Sequence, residues 1–167
     1  MNALRATVLL AVLTASAAAQ KPADVVEVSV WRTPGMSFGM FREGEPAEAI
    51  LVRRNGPDDA SIIVRINVPR TLIVQYTERE IHVPIHVLTH AAELALEQKL
   101  IEWEPQGQKT ADEYGQTGYE VNVLGTAHRK TWGGKVKNDA APLKLARYLV
   151  QLVNDRMDVP IEFIGKD

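Results

Sequence analysis

The sequence predicts an α+β domain, in which an antiparallel β-sheet of about five to seven strands carries two α-helices on one face. Short β-branched or alternating runs, separated by turn-forming residues, fill most of the first half of the chain. Two later segments instead repeat their apolar residues at helical spacing. Strand and helix do not alternate for long enough to build a doubly wound parallel sheet, so we expect antiparallel pairing.

Residues 1–19 have the pattern of a cleaved signal peptide. Arg5 supplies a positive start, Val8–Leu13 is the apolar segment, and Ala17–Ala19 is a small-residue cleavage site. The apolar segment is shorter than the roughly 20 residues that a membrane-spanning helix needs, although an N-terminal anchor is the alternative interpretation. We therefore expect residues 20–167 to form one α+β domain, periplasmic or secreted, without a transmembrane segment after signal cleavage.

The composition excludes several classes of protein. The chain has 167 residues with 19 basic and 21 acidic side chains and no cysteine. A nucleic-acid-binding domain is normally basic, so a nucleic-acid partner is not expected. Without cysteine there is no thiolate nucleophile, no cysteine-based metal site and no lipid-attachment residue of a bacterial lipoprotein. A domain of this size can be held by its hydrophobic core without disulfides.

The first strands follow from β-branched runs and from one clear turn. Val25–Trp31 is predicted to be a strand, and Met36–Phe41 is predicted to return as a second strand. Ala49–Arg54 and Ala60–Val68 are predicted to form a hairpin, because Asn55–Asp59 between them is dense in turn-forming residues.

The middle of the chain predicts more strand and then the first helix. Thr71–Thr77 is predicted to be a strand, and a further strand is predicted over residues 80–87, where apolar residues alternate: Ile81, Val83, Ile85 and Val87. Pro84 has no N–H to donate, which indicates an edge position or a bulge. Thr89 is predicted to be the N-cap of a helix that runs to about Trp103.

The last part of the chain predicts a second hairpin and a second helix. Tyr119–Leu124 alternates as a strand, and Thr126–Val136 is its expected hairpin partner. A helix capped at Asn138 or Asp139 is predicted from an apolar stripe formed by Leu145, Leu149, Leu152 and Val153. Pro160–Ile164 is predicted to add a short final strand.

One group of residues could ligate a metal ion, and zinc is the cofactor that it would suit. On a continuous helix, His86, His90 and Glu93 fall on one stripe, and two imidazoles with a carboxylate can bind zinc. If residues 80–87 form a strand, His82 and His86 lie roughly 13 Å apart, which is too far to share an ion. The histidines are then solvent-facing side chains on an edge strand. No other cofactor is expected.

Catalytic motifs are not evident. The serines after residue 19 lie outside the motif that places a nucleophile on a strained turn, and they are Ser29, Ser37 and Ser61. Gly133–Lys135 lacks the spacing of a phosphate-binding loop and is interpreted as a hairpin turn. A general acid–base pair that only the fold would bring together remains open. The sequence does not indicate an enzyme.

A basic segment with one tryptophan predicts a docking surface. Residues 128–137 contain no acid, and the candidate contact residues in them are Arg129, Lys130, Trp132 and Lys135. Tryptophan and arginine contribute strongly to protein interfaces, so another exported protein is the expected partner. A glycan or an anionic headgroup is an alternative partner. In a further alternative, Trp132 packs inward and the lysines only keep the surface soluble.

The order of elements resembles that of the emfourin-type inhibitors of thermolysin-like metalloproteases. The segments that carry the resemblance are VWRTPGMSFGMF (30–41), EIHVPIHVLTHAAELALEQKL (80–100), GYEVNV (118–123) and LKLARYLVQLV (143–153). Most of the chain after residue 19 is covered as a pattern, whereas the hairpin within 43–75 is extra. No inhibitory residue corresponds position by position. The resemblance implies an α+β fold and a protease inhibitor.

The function predicted from the sequence is an exported, non-enzymatic binding domain, either an inhibitor of another protein or a docking module. The alternative is a protein that binds a metal or a small ligand through the region of His86, His90 and Glu93.

Overall fold

The computed structural model describes residues 20–33, 47–70, 73–104, 116–133, 141–159, 161 and 164. In chain order its main elements are β1 (Val25–Thr33), β2 (Glu48–Arg54), β3 (Asp59–Arg70), β4 (Ile73–Pro84), α1 (His86–Glu97), β5 (Gln116–Val123), β6 (Thr126–Gly133) and α2 (Ala141–Arg156). Within the described residues the strands form one antiparallel sheet in the order β4-β3-β2-β1-β5-β6. The predicted α+β fold is confirmed.

The two faces of the sheet differ in what covers them. Side chains alternate along β1, so that Val28 and Val30 face the helices while Ser29 and Trp31 face the other side. The helix-facing side chains of the strands share one core with the buried side chains of both helices. Burying each large aliphatic side chain in such a core contributes about 1.5–3 kcal/mol.

The helix α2 buries the predicted apolar stripe, which comprises Leu145, Leu149, Leu152 and Val153. Helix α1 packs small as well as large residues against the sheet, and these are Val87, Leu88, Ala91, Ala92 and Ala95. Both helices are amphipathic, as a helix layer that covers one face of a sheet must be. In the parts of the chain that the structure describes, no helix combines the length and apolar content of a membrane span.

The junction between β4 and α1 differs from the prediction. The strand ends at Pro84 and the helix begins at His86. The strand predicted over 80–87 is therefore confirmed for residues 80–84 but extends too far, and the predicted N-cap at Thr89 is wrong. Thr89 lies inside the helix, and its hydroxyl donates a hydrogen bond to the carbonyl of Ile85 (3.2 Å). Val87 fits the preceding alternation and also begins the buried stripe of α1, so the apolar pattern alone does not locate the boundary.

The helix α1 also ends earlier than expected, at Glu97 rather than near Trp103. Lys99 has a left-handed backbone (φ 52°), and Leu100 donates its N–H to the carbonyl of Ala95 (3.0 Å). This is a Schellman termination, which satisfies helix carbonyls and here turns Leu100 into the core. The burial of Leu100 thus offsets the cost of the left-handed backbone at Lys99.

The first hairpin and the edge position of Pro84 are confirmed. Strands β2 and β3 pair antiparallel on either side of the Asn55–Asp59 turn. Strand β4 is continuous where two strands were predicted, and it forms one edge of the described sheet with Pro84 opposite Asp59. An edge position tolerates proline, because the missing N–H need not pair with a second neighbouring strand.

The second hairpin turns at Leu124 and Gly125, and not at Gly133, which is the last residue of β6 and pairs with Gln116. Both turn residues have positive φ, 50° and 89°. Glycine adopts this conformation freely, whereas a leucine in it costs about 1–2 kcal/mol. The predicted final strand is also corrected, since Ile161 and Ile164 lie in irregular backbone.

Some predictions fall on residues outside the described ones. Among them are the signal peptide 1–19, the strand Met36–Phe41, the Gly134–Lys135 part of the predicted turn and the helix caps Asn138 and Asp139.

The indole of Trp31 in β1 packs closely against Gly118 in β5. They face each other in the register, and the Trp31 indole lies so close that a Cβ on Gly118 would be 2.3 Å from it. Glycine is therefore required at position 118 for its lack of a side chain.

We predict that Gly118→Ala lowers the free energy of unfolding by about 1–3 kcal/mol, because the added methyl group overpacks the buried Trp31 ring. Denaturant unfolding measures the change. The matched control is Gly56→Ala, where an added Cβ would have no neighbour within 4 Å and stability should hardly change. Equal stability of Gly118→Ala and the wild type would contradict the close packing.

Candidate functional site

The hairpin formed by β5 and β6 carries the residues for which the sequence predicts docking. Strand β6 is the second edge of the described sheet, so one side of its backbone has no described strand beside it. Arg129 and Lys130 are adjacent in the strand, and their side chains therefore point to opposite faces.

Arg129 lies against an aromatic ring of the same chain. Its guanidinium carbon is 4.4 Å from the centre of the Trp31 ring, and Glu120 lies opposite it on β5. Such a cation–π contact contributes roughly 0.5–2 kcal/mol, depending on exposure. Arg129 is exposed, so the contact places its charge at the surface, above the Trp31 ring.

Lys130 is positioned from the other face of the sheet. Its ammonium group pairs with the carboxylate of Glu104, which follows α1 in the chain. The lysine side chain is 27% exposed and the glutamate side chain 74%. The basic hairpin is therefore partly neutralised on its helix side, whereas Arg129 presents its charge on the other side.

The remaining two hairpin candidates are placed only in part. Trp132 lies in β6 opposite Thr117, and Lys135 lies outside the described residues. The aromatic partner that the structure gives to this basic segment is Trp31, which is far away in sequence. Only the strand register brings Trp31 to the hairpin, so no local motif could have revealed it.

The candidate metal ligands lie on one exposed stripe of α1. Because the helix begins at His86, the side chains of His86, His90 and Glu93 follow each other at helical spacing. His90 Nδ1 is 3.5 Å from a Glu93 carboxylate oxygen, and its ring meets Tyr148 edge-on at 5.0 Å. Among the residues that the structure describes, no group of three or more His, Asp or Glu side chains is arranged to hold a metal ion.

A polar cluster at the first hairpin was not foreseen. Asp59 and His82 face each other with 3.2 Å between Oδ2 and Nδ1, and the amide nitrogen of Asn55 donates to the hydroxyl of Ser61 (2.6 Å). Serine, histidine and aspartate are the residue types of a hydrolytic triad. Here Ser61 is fully buried and its oxygen already accepts a hydrogen bond, so this cluster stabilises the turn rather than presenting a nucleophile.

The Asp59 carboxylate is stabilised in its ionised form. The hydrogen bond from His82 is the main cause, and it lowers the pKa of Asp59 below its ordinary value of 3.8. The side chains of both residues are largely exposed, with 47% for Asp59 and 73% for His82, so solvent screens the pair.

No protein-family model matches the chain. No curated protein matches it either. The resemblance to emfourin-type inhibitors therefore stays a prediction from the sequence.

We predict that zinc does not raise the melting temperature of the tag-free protein, because the described part of α1 pairs His90 with Glu93 without a third ligand beside them. A ligand that binds only the folded chain would raise it in proportion to the logarithm of its concentration. Thermal unfolding with and without zinc is the measurement. A rise that His90→Ala removes and His128→Ala preserves would establish the metal site.

We predict that Asp59→Asn is slightly less stable than the wild type at neutral pH and that the difference disappears in acid. The folded-state pKa of Asp59 is lowered, so its carboxylate contributes stability above the unfolded value of 3.8 and loses it as the pH falls through the folded pKa. The test is to measure the melting temperatures of both proteins from neutral pH down to acidic pH below the folded-state pKa of Asp59. Asp58→Asn, at the neighbouring exposed carboxylate, is the control; a difference that persists in acid would refute the ionic origin.

Proposed function

We propose that this chain is an exported, non-enzymatic binding domain that docks to another exported protein through the hairpin of β5 and β6, and that docking inhibits that protein. The observation that carries the proposal is the position of a basic strand at the edge of the sheet. Backbone groups on the outer side of an edge strand are available to pair with a strand from a partner.

The charge of β6 supports a protein partner with an acidic surface. His128, Arg129 and Lys130 follow each other, and residues 126–133 contain no acid. The opposite edge strand β4 instead carries Glu78 and Glu80 beside Arg79. A basic edge attracts an acidic partner and increases the rate of association, an effect that salt reduces.

The Arg129 contact makes the hairpin a pre-organised surface. The guanidinium group already rests on Trp31, so less side-chain entropy is lost when a partner carboxylate approaches. Arginine held in this way can donate two parallel hydrogen bonds to a carboxylate. At the Ser61, His82 and Asp59 cluster, the buried Ser61 hydroxyl and its hydrogen bond from Asn55 also support a function other than catalysis.

We predict that Arg129→Gln weakens partner binding about tenfold, which corresponds to about 1.4 kcal/mol, with only a small decrease in melting temperature. The protein without residues 1–19 is immobilised, partners are captured from periplasmic or culture extract, and the retained protein is purified for affinity measurement. Arg65→Gln is the matched control, because Arg65 is also a strand arginine and pairs with Glu78 of β4, the strand at the opposite edge of the sheet.

If Arg129→Gln and Arg65→Gln bind the purified partner equally well, the hairpin is not the docking surface. If the wild type retains no partner at low salt, the docking function itself is wrong.

A further inference from the structure

The turn of the β5–β6 hairpin displays a leucine where neither its backbone nor its environment favours one. Leu124 has φ +50° and is 74% exposed. Among the residues whose side-chain burial the structure describes, which do not include Trp132, it is the one large apolar side chain that is exposed. A single exposed leucine is ordinary on a protein surface, but a leucine that is both exposed and left-handed is not.

Lys99 is the other non-glycine residue with positive φ in the described segments, and its conformation has a clear structural consequence. Lys99 turns left-handed at the end of α1, and the next residue, Leu100, is thereby buried. Leu124 buries little of its own side chain. Asparagine or aspartate at this first turn position, followed by Gly125, would satisfy the same turn at lower cost. The fold therefore does not require leucine here.

The tip is nevertheless held firmly in place. The N–H of Leu124 donates to the carbonyl of Asp24 (2.9 Å), and the N–H of Gly125 donates to the side-chain oxygen of Asn122 (3.0 Å). The residues that follow, Thr126 and Ala127, are exposed and small. A hydrogen-bonded turn thus presents one branched, exposed apolar side chain, as an anchor residue requires.

We propose that Leu124 is the anchor residue of the docking hairpin and enters an apolar pocket, sized for one aliphatic side chain, on a folded exported protein. This proposal rests on the proposed function and names the contact that makes it specific. Charge complementarity selects the partner: the pocket is flanked by acidic residues that meet the basic side chains of β6. A lipid surface would instead need a broad apolar face, which one leucine beside Asp24 and Asn122 does not supply.

Two substitutions separate the anchor from the turn. Leu124→Asn removes the apolar group and suits a left-handed backbone, so it should raise the melting temperature by about 2–4 °C. The same variant should bind the purified partner at least tenfold more weakly than the wild type. Leu124→Met keeps a flexible apolar side chain on the same backbone, and it should bind within about threefold of the wild type.

The probe is the protein retained by the wild-type chain, which is purified and titrated against each variant. A second arm uses neutral vesicles of phosphatidylcholine and anionic vesicles of phosphatidylcholine with phosphatidylglycerol. Higher stability with weaker binding for Leu124→Asn, and retained binding for Leu124→Met, supports the anchor. Equal binding by Leu124→Asn overturns the anchor and leaves the docking function standing. Vesicle binding that depends on Leu124 overturns the choice of a protein pocket. A wild-type chain that retains no partner overturns the docking function, and the anchor with it.

Discussion

The central strand β1 is buried on both of its faces, and the arrangement of the sheet depends on this. Val28 and Val30 lie fully buried under the helices, while Ser29 and Trp31 on the opposite face are only 7% and 8% exposed. A shift of one residue along a neighbouring strand would move its apolar side chains to the wrong face. The register of β5 against β1 is therefore tightly specified, and β5 carries the hairpin with it.

Polar groups inside the domain tie together segments that are far apart in sequence. The Tyr119 hydroxyl donates to the carbonyl of Leu100 (2.6 Å), and the buried carboxylate of Glu48 accepts the N–H of Ile164 (2.9 Å). Burial raises the pKa of Tyr119, so its hydroxyl remains a donor. No buried side-chain polar atom lacks a partner in the described chain. If one partner of such a bond is lost, the other stays buried and unpaired, which strongly destabilises the fold. These hydrogen bonds therefore favour a single arrangement of the chain.

The parts of the fold that follow from local pattern could be predicted from the sequence. The β-branched runs predicted β1 and the β2–β3 hairpin, and the stripe from Leu145 to Val153 predicted α2. The boundary between β4 and α1 could not be located, because Val83 and Val87 satisfy a strand period and Val87 also begins a helical stripe. The candidate site depended on long-range register: nothing local links Trp31 to Arg129 or Gly118.

Within the second hairpin, the residues that build the core differ from those for which we propose docking. Its inner strand β5 contributes Tyr119, Val121 and Val123 to the core, so substitutions there alter folding. Its outer strand and turn lie beyond that core, where the structure keeps a leucine in a conformation that asparagine would adopt more easily. Leucine departs here from the residue preference of the turn, and burial of its side chain does not offset the cost. Such a departure is expected where a residue stabilises a complex rather than the isolated chain. Residues of the outer strand and the turn can therefore change without loss of the core, which is what the proposed docking surface requires.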